Sequence, residues 1–470
     1  MISSRGLGQW LPTYLAGVGR RAWLRRVRKR RLTHIIFLVC DHFEPRHGIT
    51  APGQAADRLG AWHRGYRALQ EDCLRDHGIK PVHTWFYAPH HGLEHLAPLA
   101  RMAFDGLGEV ELHFHHRNDT ETTLRAALTA ALADFWRWGL LQQVGTPVTR
   151  RFGFIHGDWS LNNSQGARFC GVNSESTLLS ELGCWGDLTM PSAEESQTRK
   201  INSIYYAIND PNRPKSHDWG GDSCVGAPER KGLLLIQGPL GINWRGPRYP
   251  RIENACLTTL NWGRDDRVKA WLDCHVHVRG RPEWVFVKLH THGAYEKDFD
   301  GLFGDRARTM YRTLATEYND GTKYQLHLVT ARQCFNLIRA AEHDSGGDPA
   351  QFLDLEVGPQ VTSRYWADSP HDLQACCADT FKVRFAERGR PVVLLLRYQG
   401  LRGVSGDVAS CWLDARTSVV TLETFGDSGL VDVSLAEASR LRVVDGADLV
   451  STEGDCVRLR VRGRATVGYG

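Results

Sequence analysis

Apolar and polar residues alternate with a period of two where Val110, Leu112 and Phe114 are set against Glu111, His113 and His115. That pattern predicts a strand carrying its imidazoles on one face. The strand should end near His116. Asp119 is placed to N-cap a following helix whose apolar stripe is Leu124, Leu128, Ala131, Leu132 and Phe135. Residues 35–40 form a continuous apolar run, as in a strand buried on both faces, and stop at DHFEP, where Pro45 ends regular pairing. Over 54–77, Leu59, Trp62, Tyr66, Leu69 and Cys73 fall on one helical stripe, with Gly78 suited to the position just past its end.

The alternation continues along the chain. Strands are expected at 82–87, 151–156, 186–190, 233–237, 284–289 and 324–329, with helices near 93–104, 172–182, 194–207 and up to about 341. Strands alternating with helices predict an α/β fold, an irregular (β/α) barrel of seven or eight strands in preference to an open doubly wound sheet. Short alternating runs at 380–385, 391–398, 419–424, 430–433 and 458–467, separated by Gly and Asp turns, predict a small all-β domain. The expected organisation is therefore a basic leader (1–33), a barrel (34–343), a linker rich in Gly, Asp, Pro and Ser (344–374) and a small β domain (375–470).

Charge changes the picture only at the N-terminus. The chain of 470 residues has a net charge of +5, but Arg5, Arg20, Arg21, Arg25, Arg26, Arg28, Lys29, Arg30 and Arg31 crowd the leader, which has no acid. The remainder is slightly acidic, so nucleic acid is not an expected partner. Trp10, Leu11, Tyr14, Leu15 and Val18 precede the arginines at near-helical spacing, which suits either peripheral contact with an anionic membrane or a loosely docked basic arm. No apolar run approaches the roughly 18 residues needed to span a bilayer. Twelve cysteines lie scattered without a C-x-x-C. They read as reduced, buried thiols of a cytoplasmic protein, peripheral at most to an inner membrane.

The candidate chemistry sits at strand ends. Four polar clusters occupy such positions: Asp41, His42 and Glu44; His113, His115, His116 and Asp119; His156 and Asp158; Lys288, His290 and His292. In a barrel they would converge at one mouth, where histidines and carboxylates suit zinc or another borderline divalent ion with one position left for water. A carboxylate would then take the proton and a histidine protonate the leaving group. The loop His156, Asp158, Trp159, Asn162, Asn163, Ser164 joins a flat ring to amides, a mixture that suits a sugar, and Trp219, Trp244 and Trp262 would extend that surface or pack the rim. Asp187 and Glu253 are further carboxylates near strand ends or loops; either would serve in catalysis, but surface solvation is the favoured reading.

DHFEP, LHFHHRND, HGDWSLNNS and KLHTHG, in that order, resemble a divergent NodB-like polysaccharide deacetylase group of the glycoside hydrolase/deacetylase barrel superfamily, a kind associated with bacterial exopolysaccharide or lipopolysaccharide loci. The resemblance covers approximately residues 34 to 343. It implies a deformed (β/α) barrel, a divalent metal and removal of N- or O-acetyl groups from a glycan. The family's first motif usually supplies an adjacent Asp pair; here Asp41 stands beside His42, with Glu44 three residues on. Its second motif usually has two metal-binding histidines four residues apart; here His115 and Asp119 have that spacing, with His113 and His116 as substitutes. Its late histidine acid is matched by His290 or His292.

The expectation is therefore a metal-dependent carbohydrate deacetylase. Its metal, zinc by preference, would be held among Asp41, His113, His115, His116 and Asp119. Glu44 or Asp41 would act as base and His290 or His292 as acid, with His156, Asp158, Trp159, Asn162 and Lys288 against the glycan. Two alternatives stand beside it. A barrel glycosidase would release reducing ends without acetate, and a glycan-binding protein without catalysis would keep its ligand after metal removal.

Overall fold

The computed structural model describes residues 6–28, 31–49, 51–144, 149–192, 194–228, 231–246, 250–377, 379–389, 391–396, 398 and 400–470. Arg5, Lys29 and Arg30 of the leader lie outside the described residues. The chain divides into two compact units: residues 1–93, 107–129 and 149–358 form one, and residues 94–106, 130–148 and 359–470 the other.

The first unit is built on a mainly parallel sheet. Its strands are β1 (Thr33–Phe43), β2 (His83–Tyr87), β3 (Gly108–Phe114), β4 (Thr149–His156), β5 (Cys184–Asp187), β6 (Ile204–Ala207), β7 (Gly220–Asp222), β8 (Leu234–Ile236), β9 (Trp284–Thr291) and β10 (Tyr324–Leu328). The hydrogen-bonded path runs β9-β1-β2-β3-β4-β5-β8-β6-β7, and β10 pairs with the first half of β1. From β9 to β8 the pairs are parallel. β6 and β7 close the far edge in antiparallel pairs. This is an α/β sheet whose strands follow chain order across most of its width.

The reasons are local. β1 keeps the apolar run at its centre but extends through Asp41, His42 and Phe43, all buried, so the polar residues expected just past the strand lie inside it. The helix Gln54–His77 has the expected stripe buried, with Gly78 left-handed at its end. Asp119 is not the cap of the helix Glu121–Arg137. Thr120 and Thr123 exchange backbone and hydroxyl hydrogen bonds there, and the Asp119 carboxylate accepts the Thr123 hydroxyl at 2.6 Å through Oδ1 while its Oδ2 turns to His116.

The helix expected over 194–207 does not form. Glu194–Ser196 is one 3-10 turn, and Ile204, Tyr205 and Tyr206 belong to β6, as their β-branched and aromatic side chains favour. Helices at Asp265–Cys274 and Asp305–Glu317 add to those expected.

The leader folds into helices Leu7–Ala16 and Val18–Arg28. The expected apolar stripe divides. Trp10 is fully buried with Ile201 and Leu240, whereas Leu15, Val18 and Trp23 are exposed. No described helix is long and apolar enough to cross a membrane. The described cysteines are free thiols.

Among the described residues, the second unit is built on an antiparallel sheet of ten strands, from Tyr365–Ala367 to Cys456–Gly468. Alternation is clean in Thr380–Phe385, where Phe381, Val383 and Phe385 face inward. The helix Leu96–Phe104 belongs to this unit.

Candidate active site

Parallel pairing brings the C-terminal ends of β1, β2, β3, β4 and β9 to one edge of the sheet. The register pairs Asp41 with Thr291, Phe43 with Tyr87, Tyr87 with Leu112 and Phe114 with His156. Ligands of open and closed parallel sheets alike gather outside this edge.

Glu44, one residue past β1, meets two imidazoles there. Its Oε1 lies 2.9 Å from His115 Nε2 and 3.8 Å from His113 Nε2. The two Nε2 atoms are 3.0 Å apart. Each ring is turned by a partner on its other side: His113 Nδ1 donates to the Ile155 carbonyl at 3.0 Å, and His115 Nδ1 to Asp158 at 3.2 Å. Carbonyl and carboxylate oxygens only accept, so both ring protons belong on Nδ1 and both Nε2 lone pairs point inward.

Two lone pairs cannot face each other at this distance without a cation or a proton between them. The titration of the pair agrees. Burial pushes His113 down, whereas in His115 the Asp158 and Glu44 carboxylates outweigh burial and raise it to about 9. Burial alone would raise Glu44, but the imidazoles of His113, His115 and His91 gathered around it hold it well below the usual carboxylate range. A proton or a divalent ion between the two rings would satisfy both lone pairs. Glu44, His90 and His115 also present ligand atoms within 4.8 Å of one another. His91 has a different part. Its Nδ1 accepts the Arg46 amide at 3.0 Å, so its proton sits on Nε2, 3.7 Å from Glu44.

A second layer of rings stands beside these. His42 stacks on His292 with centroids 4.8 Å apart and meets His113 edge-on at 4.9 Å. Trp159 lies 6.0 Å from His42 and 5.9 Å from His292. Burial and neighbouring imidazoles hold His42 well below its ordinary value, and burial lowers His292, so both rings are neutral near neutrality. His290 is further from His42, at 6.4 Å. The loop carrying Trp159 is strained: Asp158, Trp159, Asn162 and Asn163 all have positive φ, which Asn and Asp tolerate and Trp rarely adopts.

Asp41 is not brought to the Glu44 cluster. Its Oδ1 accepts the Gly293 amide at 2.6 Å and its Oδ2 meets His83 Nε2 at 3.1 Å. Lys288 does not reach a substrate surface either. It is fully buried and donates to the carbonyls of Leu188 and Met190. Asn162 is equally committed, bonding Ser176 and Ser216 while its amide N–H donates to Glu175. Asp187 and Glu253, read as surface groups, are both buried; Asp187 accepts from Thr189 and Glu253 from Arg267 and Trp271. Trp219 lies under the Arg213 guanidinium, Trp244 is exposed and Trp262 half-buried.

His116 faces away from His115, toward a separate group. Its Nε2 lies 2.9 Å from His156 Nε2 and 3.2 Å from Glu175 Oε1, while its Nδ1 meets Asp119 at 3.1 Å. His156, expected at a substrate surface, is fully buried here, and Cys170 lies beside Glu175. His90, His91, Cys170 and Glu175 are not among the residues the strand-end pattern singles out. The first two had a visible signal, a histidine pair directly after the β2 strand; Cys170 and Glu175 had none. No protein-family model, curated protein or solved structure matches the chain.

Proposed function

We propose that this chain is a metal-dependent hydrolase of the NodB-like kind, removing acetyl groups from a bacterial polysaccharide or its precursor. The observation that carries this reading is the facing pair His113 and His115 with Glu44 across from both, each ring held by an acceptor behind it. Three side chains around one point leave room for water and substrate, the arrangement of a catalytic rather than a structural ion. The order of the four motifs supports the family. The same reading makes the parallel sheet the wall of an irregular (β/α) barrel of seven or eight strands. In support, the chain leaving β8 comes so close to β9 that a Cβ on Gly238 would lie 2.4 Å from the Lys288 carbonyl oxygen.

Glu44, His113 and His115 would hold the ion, zinc by preference for a mixed imidazole and carboxylate set. When bound it would polarise the acetyl carbonyl and acidify an attacking water. The chain's own residues do the rest. Asp158 and the Ile155 carbonyl fix the ligand rings, and His91 steadies Glu44. Water adds to the carbonyl carbon, the bond to the sugar nitrogen or oxygen breaks, and acetate leaves. One of the neutral rings of the His42 and His292 stack takes the proton from water and delivers it to the sugar atom. Trp159 offers a flat face for the sugar beside that stack. A cytoplasmic location, with the leader against an anionic membrane surface, belongs to the same proposal and rests on the free thiols and on the exposed Leu15, Val18 and Trp23.

The test is acetate release from N- and O-acetylated oligosaccharides by the zinc-loaded protein, its Glu44→Gln variant and its His115→Ala variant. Loss of release in both variants is expected. Full activity in Glu44→Gln would overturn the assignment, and reducing ends released without acetate would point to a glycosidase.

A further inference from the structure

We propose that His116, His156, Glu175 and Cys170 form a second divalent-cation site, closed and structural, separate from the Glu44 site. The geometry comes first. His116 Nε2 and His156 Nε2 are 2.9 Å apart, and Glu175 Oε1 lies 3.2 Å from the first and 3.3 Å from the second. In a tetrahedral zinc site, bonds of about 2.0–2.1 Å place neighbouring nitrogen and oxygen ligands about 3.3 Å apart. The three atoms therefore trace one face of such a tetrahedron. Cys170 supplies the fourth corner, with one ligand atom from each of the four residues within 4.8 Å of all the others.

Charge and burial point the same way. Glu175, His156 and Cys170 have no exposed surface, and the His116 side chain is almost as deeply buried. An isolated carboxylate is costly there, and among the described residues no lysine or arginine pairs with Glu175. A divalent ion with Glu175, a Cys170 thiolate and two neutral imidazoles sums to zero charge, the condition a dry site favours. Asp119 binds His116 Nδ1 at 3.1 Å and so aims Nε2 at the group, as outer carboxylates do for zinc-binding histidines. His217, fully buried, has both ring nitrogens without a partner and feels the charge of Glu175.

The site would tie together four segments that share no helix or strand. His116 follows β3, His156 ends β4, Cys170 sits in a turn whose carbonyl accepts the Asp119 amide at 3.0 Å, and Glu175 opens the helix Glu175–Glu181. Glu175 Oε2 also accepts the Asn162 amide at 2.7 Å. The ion would thereby pin both ends of the loop that carries Asp158 and Trp159. Its role is to hold that loop's strained backbone in place. Four protein ligands leave no open position, which distinguishes it from the Glu44 site.

The experiment loads the full-length, metal-stripped chain with cobalt alone and reads metal content and absorption. Wild type should take up about two cobalt ions per chain, as two four-coordinate sites require, and show a thiolate-to-cobalt charge-transfer band in the near ultraviolet. Cys170→Ala should lose that band, and His156→Gln should lose one ion. Glu44→Gln should lose the other ion and keep the band, so failure of the deacetylase reading is told apart from failure of this one. One ion per chain with the band present upholds the buried site and removes the other. Absence of the band in wild type overturns the proposal. Should His156→Gln fail to fold, the Cys170→Ala spectrum decides alone.

Discussion

His113 Nε2 and His115 Nε2 face each other at 3.0 Å, and each ring's Nδ1 is turned to an acceptor, Ile155 for one and Asp158 for the other. Only the Asp158 contact is made by a side chain, so it can be removed by substitution. Asp158→Asn puts an amide where the carboxylate was, and its hydrogen bond to His115 weakens or inverts. Metal affinity at this site should fall by about 10–100-fold, the range seen when such outer partners are removed. Competition against a chromophoric chelator measures it. Unchanged affinity, with circular dichroism as in wild type, would show that Asp158 does not orient His115.

Trp159 occupies a left-handed backbone conformation, with φ near 54°. For a bulky side chain this costs roughly 1–2 kcal/mol, whereas glycine adopts it freely. Trp159→Gly should therefore leave stability within about 1 kcal/mol of wild type, because relief of strain offsets lost contacts with His42 and His292. The KM for an acetylated oligosaccharide should rise by roughly 2- to 10-fold, as expected when a stacking face worth about 0.5–1.5 kcal/mol is removed. Urea titration and initial-rate kinetics read the two effects separately. A marked loss of stability with KM unchanged would make Trp159 a packing residue.

Gly293 lies against Asp41 so closely that a Cβ would stand 2.1 Å from Oδ2 and 2.7 Å from the Trp62 ring. Neither neighbour can retreat: Trp62 is fully buried and donates to the Gly293 carbonyl at 2.7 Å. Gly293→Ala should cost about 1–3 kcal/mol, the usual range for overpacking. Because His292 is the preceding residue, its ring should leave the His42 stack at the same time. A variant as stable as wild type in urea would show that the Asp41 contact yields without strain.

Much of this architecture is legible in the sequence because buried strands and long amphipathic helices have unmistakable periods. The run at 35–40 and the stripe Leu59, Trp62, Tyr66, Leu69, Cys73 both fall where they are found. The histidine clusters are legible for a related reason: strand alternation fixes the side of His113 up to the last paired residue. Past the strand end the period is lost. His115 turns to Glu44 while His116 turns to Glu175, and nothing in LHFHHRND distinguishes them.

Lys288 shows a different limit. It has the same parity as His290 but lies two residues deeper, where the Leu188 and Met190 carbonyls take its ammonium group before any substrate could. Cys170 and Glu175 approach His116 only through tertiary folding, at spacings that follow no motif.

Asp187 offers the clearest pH signature outside the histidine clusters. It is fully buried in β5, and burial raises its carboxyl from 3.8 to about 7, against opposing hydrogen bonds from Thr189 and the charge of Lys288, with Glu175 adding to the rise. Since the folded chain holds this proton more tightly than the unfolded chain, its contribution to stability is fully present below pH 3.8. That contribution declines as pH rises and is gone above about 7. Across that window the unfolded state has released the proton and the folded state has not, so stability falls by up to about 1.4 kcal/mol per pH unit. Asp187→Asn imitates the protonated form and removes this pH dependence. In urea titrations of metal-free protein at a series of pH values, the variant should match wild type at the acid end and gain on it steadily toward pH 7. Parallel curves would place the Asp187 pKa at its ordinary value and make Lys288 its full counter-ion.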